Sequence, residues 1–286
     1  MGRNILNLYK LVRYDIKNGL GSRWYVCLGA AALGLLFCAK LYADYMGMLG
    51  YLTDPQFAMG NLLICYFQGK KPYSPEYGDP FVFPASWMVL FLLCSFLTLD
   101  YPFHNLNGHG VQVVTRMRSR RVWWASKCIW VAVATLFYFI LLYTVAAAFC
   151  IALGIPVTLG YGTEVNEELL HILDMEPFGT GDAVLVLCVL PAATALAVNA
   201  VQLVLGFFLD RIYCFLATAT LLFASAYFHT PFLIGNYAMV ERSVFCTGKG
   251  PEPAACLAAD LIVAAACVAA GFVWIQKYDI MKKKDT

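Results

Sequence analysis

The chain has 286 residues, 61% of them hydrophobic and only 13% charged, with a formal net charge of +2. Soluble domains carry roughly 25% charged residues, so a mean hydropathy of +0.68 sets aside a soluble globular protein and points to a chain solvated largely by lipid. No nucleic-acid partner is expected, and the near-neutral total hides a strong asymmetry of sign along the chain.

The first predicted element is residues 3–20. Ile5, Leu8, Tyr9, Val12, Ile16 and Leu20 recur there at three- and four-residue steps, with Lys10, Arg13 and Lys17 on the opposite face. This is an amphipathic helix with a basic side, suited to a membrane interface. It serves either as a plain anchor or as an elbow that also touches a cytosolic partner. It lacks the continuous apolar core and small-residue cleavage site of a signal peptide.

Six apolar stretches follow, near 24–42, 84–98, 125–153, 183–208, 212–228 and 254–275. A crossing needs about 20 residues. The second stretch is short, but 81–83 extends it, and the fourth and fifth are separated only by a tight hairpin at 209–211. The expected fold class is all-α, a single integral membrane domain over 1–286 with six transmembrane helices. Alternate connections hold 15 of the 20 basic residues, among them Arg116, Arg118, Arg120, Arg121 and Lys127. Lys40, Lys70, Lys71, Arg242 and Lys249 fall on the other side. The positive-inside rule then makes both termini cytoplasmic.

The outer connections come next. Residues 55–67 suggest a helix lying on the membrane, ahead of the Pro/Tyr/Gly-rich 70–84. In 154–182, Glu164, Glu167, Glu168, Asp174, Glu176 and Asp182 gather without a Lys or Arg, and Thr163 is placed to cap a short helix with Val165, Leu169, Ile172 and Leu173 as its apolar edge. Residues 229–245 are apolar yet too short to cross, which suggests a re-entrant or interfacial hairpin, possible only where protein buries its backbone. The inner connection after the second crossing has turn chemistry at 104–110, a short helical stretch at 111–118, and a basic, Trp-containing return into the membrane at 119–127. Charge and aromatics there fit an interfacial anchor, which leaves the compact helix to be explained.

Within the crossings, Asn199 and Gln202 lie three apart on one face, as interhelical hydrogen-bonding residues do, and Pro191 should kink the same helix. Asp260 is the one acid well inside an apolar run, and an intramembrane acid is a functional candidate. Most of the 11 cysteines lie in or beside crossings, where Cys is a small apolar residue. Cys246 and Cys256 flank an outer turn, and a disulfide between them is left open. No phosphate-binding loop, HExxH or GxSxG is present, and the four histidines are scattered. No metal, cofactor or catalytic residue is expected on this chain.

Residues 110–116, GVQVVTR, and 119–127, SRRVWWASK, resemble the "GxQxxxR…SRxxWWxxK" stretch of small Gram-positive permeases. With the six crossings, the basic amphipathic helix and the apolar hairpin, the whole chain resembles the permease subunits of bacterial two-component ABC exporters, the type-two permease superfamily. The resemblance implies a cytoplasmic-membrane protein working as two permeases with two copies of a separate ABC ATPase, which holds the ATP and Mg. It implies a coupling helix for the ATPase that includes His104, Asn107, His109, Gln112, Arg116 and Arg118, and a second contact through Lys10, Arg13 and Lys17 of the elbow helix. It also implies an outer gate at Phe232, Leu233, Ile234 and Tyr237. The crossings that line the path in related exporters carry Tyr42, Phe91, Phe96, Phe215 and Phe223 here, a wall suited to an amphipathic or lipid-like cargo, short peptides or toxins above all. A secondary transporter and a membrane-embedded enzyme are the alternative functions. The first would show repeats and ion-coupling charge, and the second would show clustered acids, His or a nucleophile in the crossings.

Overall fold

A computed structural model describes residues 2–71, 73, 81–99, 101, 120–173, 175–176, 179–248 and 250–277. Among these residues the secondary structure is entirely helical. Lipid offers backbone groups no hydrogen bonds, so apolar runs of this length close their ladders internally as helices. The elements are α1 (Gly2–Ser22), α2 (Trp24–Met48), α3 (Met59–Phe67), α4 (Ala85–Thr98), α5 (Arg120–Leu153) and α6 (Thr163–Leu170). After them come α7 (Thr180–Leu205), α8 (Arg211–Tyr227), two 3-10 turns (Ile234–Ala238 and Val240–Arg242), α9 (Val244–Thr247) and α10 (Pro253–Lys277). Four helices, α2, α5, α7 and α10, are long and apolar enough to cross a membrane, whereas α4 and α8 are apolar but shorter. At 14 residues, α4 rises only about 21 Å.

α5 and α7 form the centre and run antiparallel. Trp124 near the start of α5 packs on Phe207 just past the end of α7, with ring centroids 5.0 Å apart. Further along, the Tyr143 hydroxyl donates to the Cys188 carbonyl at 2.7 Å. α10 lies against both. Trp124 Nε1 donates to the Val268 carbonyl at 3.0 Å, and its ring occupies the space beside Gly271. A Cβ on Gly271 would stand 1.9 Å from Trp124 Cζ2, so glycine is what lets α10 approach. Gly271→Ala should destabilise the chain by about 1–3 kcal/mol through overpacking. The check is thermal unfolding in detergent, and an unchanged midpoint would mean that the indole swings aside at no cost.

Three local expectations differ from the structure. First, α3 does not lie on a surface: Leu62, Leu63, Ile64, Tyr66 and Phe67 are fully buried, and Tyr66 donates to the Gly34 carbonyl of α2 at 3.0 Å. Its short apolar run reads equally as an interfacial or a core helix. Second, Thr163 is the first residue of α6 and makes no cap; Gly162 holds the cap position. Third, α7 widens into a π turn over Leu185–Val189 just before Pro191, a local break that the sequence did not specify. Pro191 has no N–H to offer Leu187, and just before it the Leu190 N–H reaches back to the Leu185 carbonyl.

α6 is tied to the segment after α2 by Glu164. Its carboxylate accepts the Thr53 N–H at 2.8 Å, the Thr53 hydroxyl at 2.9 Å and the Asp54 N–H at 2.6 Å. The two backbone donors hold this carboxyl below the ordinary glutamate range. A depressed folded pKa contributes stability above the unfolded pKa, about 4.3, and that stability is lost as pH falls through the folded value. The unfolding midpoint should therefore drop on acidification below about pH 4.5, and Glu164→Gln should flatten that limb of the profile. An identical limb in the variant would exclude this tether as its source.

Candidate functional site

Two buried charge clusters sit at opposite ends of the bundle. The first joins α1 to α5. Leu11, Asp15 and Gly19 of α1 are buried, whereas Lys10, Arg13 and Lys17 are exposed on the other face. Gly19 is required there, because a Cβ would lie 2.3 Å from Trp130 Nε1. Asp15 enters α5 with its carboxylate fully buried and meets Lys127 Nζ at 2.7 Å. Ser126 donates to the other carboxylate oxygen, and Tyr101 donates to Oδ1 at 3.2 Å. The ammonium also stands 5.0 Å from the Tyr101 ring and 5.7 Å from the Trp123 ring. Cation, anion and aromatic faces thus compensate one another where water is excluded. Close by, Arg23 donates to the Phe96 and Leu97 carbonyls at 2.7 and 3.1 Å, groups that the last turn of α4 leaves without intrahelical partners. Asp15 and Arg23 therefore fasten α1 and the α1–α2 junction to the start of α5 and the end of α4. The coupling residues expected there, His104, Asn107, His109, Gln112, Arg116 and Arg118, lie outside the described residues.

The second cluster fixes the 3-10 hairpin. Arg242 is fully buried and donates to the Ser225 and Ala226 carbonyls at 2.6 Å each and to Phe228 at 3.3 Å. It also donates to Lys70 O at 2.8 Å and to Asn236 Oδ1. A guanidinium thus caps the C-terminal end of α8, where the helix dipole favours a cation. Glu241, 2% exposed, points the other way. It accepts from Gln68 Nε2 at 2.5 Å, Lys70 Nζ at 3.2 Å and the Lys71 N–H at 2.8 Å. The pair nails the hairpin between α8 and the segment leaving α3.

The expected gate residues divide accordingly. Phe232 at the tip is 91% exposed, Leu233 and Tyr237 are half-buried and Ile234 is buried. The Tyr237 hydroxyl closes on the Pro231 carbonyl. The expected path residues do not converge on one surface. Phe91 is buried, stacked on Trp87 at 5.0 Å, and Tyr42 packs on Phe57 and Phe149 at 5.9 Å each. Phe96 and Phe215 meet edge-on at 5.9 Å, and Phe223 lies 6.0 Å from Phe83. Phe96, Phe215 and Phe223, with Phe83 just before α4, line the contact between α4 and α8.

Between the clusters, Asn199 Nδ2 donates to Thr135 Oγ1 at 2.9 Å and Gln202 Nε2 to Ser95 O at 2.9 Å, tying α7 to α5 and α4. Asp260 does not reach a surface: it is fully buried and accepts from the Thr194 hydroxyl at 2.6 Å. Cys246 and Cys256 are both free thiols. Among the described residues no three His, Cys, Asp or Glu side chains gather to hold a metal ion. No family model, curated protein or solved structure matches this chain.

Proposed function

We propose that this chain is the permease of an ATP-driven two-component ABC exporter, moving an amphipathic or hydrophobic cargo, short peptides above all, out of the cell. A separate ATPase would supply the hydrolysis. The reading takes α2, α4, α5, α7, α8 and α10 as six crossings of a bacterial cytoplasmic membrane with both termini inside. α4 would need its flanks, 81–84 and 99–101, to complete its crossing. Two permeases and two ATPases would form the working unit, with ATP and Mg held on the ATPases.

The observation that supports this reading most is the buried Asp15–Lys127 pair. It makes the basic amphipathic helix and the base of α5 one body, and α5 is the element that follows, in the chain, the segment expected to dock on the ATPase. A push on 102–119 would then be passed to α1 and α5 together and become tilting of the half-bundle. At the far end, the Arg242 cap would carry the tilt of α8 into the hairpin. The aromatic contact between α4 and α8 supports an apolar rather than ionic cargo.

The test is a search for an ABC ATPase gene beside this one, then co-purification with its product and vanadate-sensitive ATP hydrolysis. Arg116→Glu with Arg118→Glu should lower cargo-stimulated hydrolysis by about tenfold or more, within the range of intersite coupling, and leave the helical signal and unfolding midpoint unchanged. Survival of both assembly and stimulation would move the contact elsewhere. Stimulation by small hydrophilic solutes alone would remove the amphipathic cargo.

A further inference from the structure

We propose that the seam between α5 and α10 binds an anionic phospholipid, with an acyl chain in an apolar groove and its phosphate on the basic residues at the end of the seam. A cavity of about 110 Å³ opens between α5, α7 and α10, lined by Trp124, Cys128, Leu196, Leu203, Cys267 and Val268. Trp124 and Leu203 form its buried floor. Cys128, Leu196, Cys267 and Val268 are half-exposed, so the cavity is a groove open to one side and not a sealed void. Apolar cavities of roughly 150 Å³ take up a benzene ring, so this one has room for a few methylenes of a chain.

Charge identifies the rest of the ligand. Arg120, Arg121 and Lys277 are all exposed. Arg120 Nη1 donates to the Gln276 carbonyl at 3.1 Å, which brings the first turn of α5 against the last turn of α10. From Arg120 to Cys128 the helix rises about 12 Å, and from Lys277 back to Val268 about 13 Å. The groove therefore lies at acyl depth beneath a cationic rim. No Asp or Glu occurs in 120–132 or 264–277, so the charge that these two helix ends carry is basic. A basic pocket between apolar helices selects anionic headgroups, whereas a neutral lipid would gain only the groove.

The full-length chain in detergent is titrated with phosphatidylglycerol or with phosphatidylcholine of identical chains, following the unfolding midpoint and the lipid retained in intact-protein mass spectra. Phosphatidylglycerol should raise the midpoint at the lower lipid fraction and remain bound. Arg121→Ala with Lys277→Ala should raise the phosphatidylglycerol needed by about 30-fold, towards the level of phosphatidylcholine. Ala264→Leu, which fills the groove, should remove the retained lipid, with Cys267→Leu as the second filling variant. A phosphatidylglycerol carrying a photoreactive group near its chain end should label peptides containing 124–132 or 264–268. Equal response of the native chain to both lipids, undiminished retention in the groove-filled variants, or labelling elsewhere would each overturn the proposal. None of these measurements depends on an ATPase.

Discussion

Lys127→Met is expected to cost about 3–5 kcal/mol of unfolding free energy, since it strips a fully buried carboxylate of its cation. Asp15 would keep the Ser126 and Tyr101 hydroxyls, but two neutral donors do not replace an ammonium at 2.7 Å. Asp15→Asn should do comparable harm by leaving Lys127 buried and charged between two rings. The paired change, Asp15→Asn with Lys127→Met, should be milder than the two losses added together. A buried pair removed whole is often close to neutral, whereas a broken one is not. The four proteins therefore make a double-mutant cycle. Purely additive losses would show that α1 is held by its apolar stripe and not by the ion pair. If the permease reading is right, the paired variant folds yet couples poorly, because α1 and α5 no longer turn together.

The second large effect belongs to Arg242. Arg242→Ala would orphan the Ser225 and Ala226 carbonyls, the Lys70 carbonyl and Asn236 Oδ1 together. Hydrogen bonds to a charged donor are each worth about 1.5–3 kcal/mol. They are not additive within one side chain, and a loss on the order of 4 kcal/mol is expected. Arg242→Lys should rescue little of it, because an ammonium cannot reproduce the planar fork that reaches several carbonyls at once. Unfolding midpoints and proteolysis of the 229–245 hairpin measure both variants. A lysine variant as stable and as protease-resistant as the native chain would mean that the hairpin is held by Ile234 and Met239 packing alone.

The helices and the amphipathic first element were legible in the sequence because hydrophobic period and run length are local properties. The basic face of Lys10, Arg13 and Lys17 lies where the period puts it. The buried stripe is displaced slightly, through Leu11, Asp15 and Gly19, and leaves Tyr9 63% exposed. What the sequence did not disclose was partnership. Lys127 and Arg242 read as two more charges in the orientation count, yet each is buried against groups more than 100 positions away. The signal was there in Asp15, an acid in the middle of an apolar stripe, but nothing local names its cation. α3 was misplaced for a related reason: a nine-residue apolar helix suits a membrane surface or a protein core equally well, and only tertiary packing decides. Residues carried over from the family resemblance, the 104–118 set above all, fall outside the described chain and rest on their experiment.

A π turn holds one residue more than an α turn, and one residue of α-helix is about 100° of rotation. The wide turn at Leu185–Val189 therefore acts as a dislocation stored in an otherwise regular rod. Deleting a single residue there would let the rod anneal. Asn199 and Gln202 would keep their bearings on one side of the fault, while every side chain between Thr180 and the fault would be swung to a new azimuth.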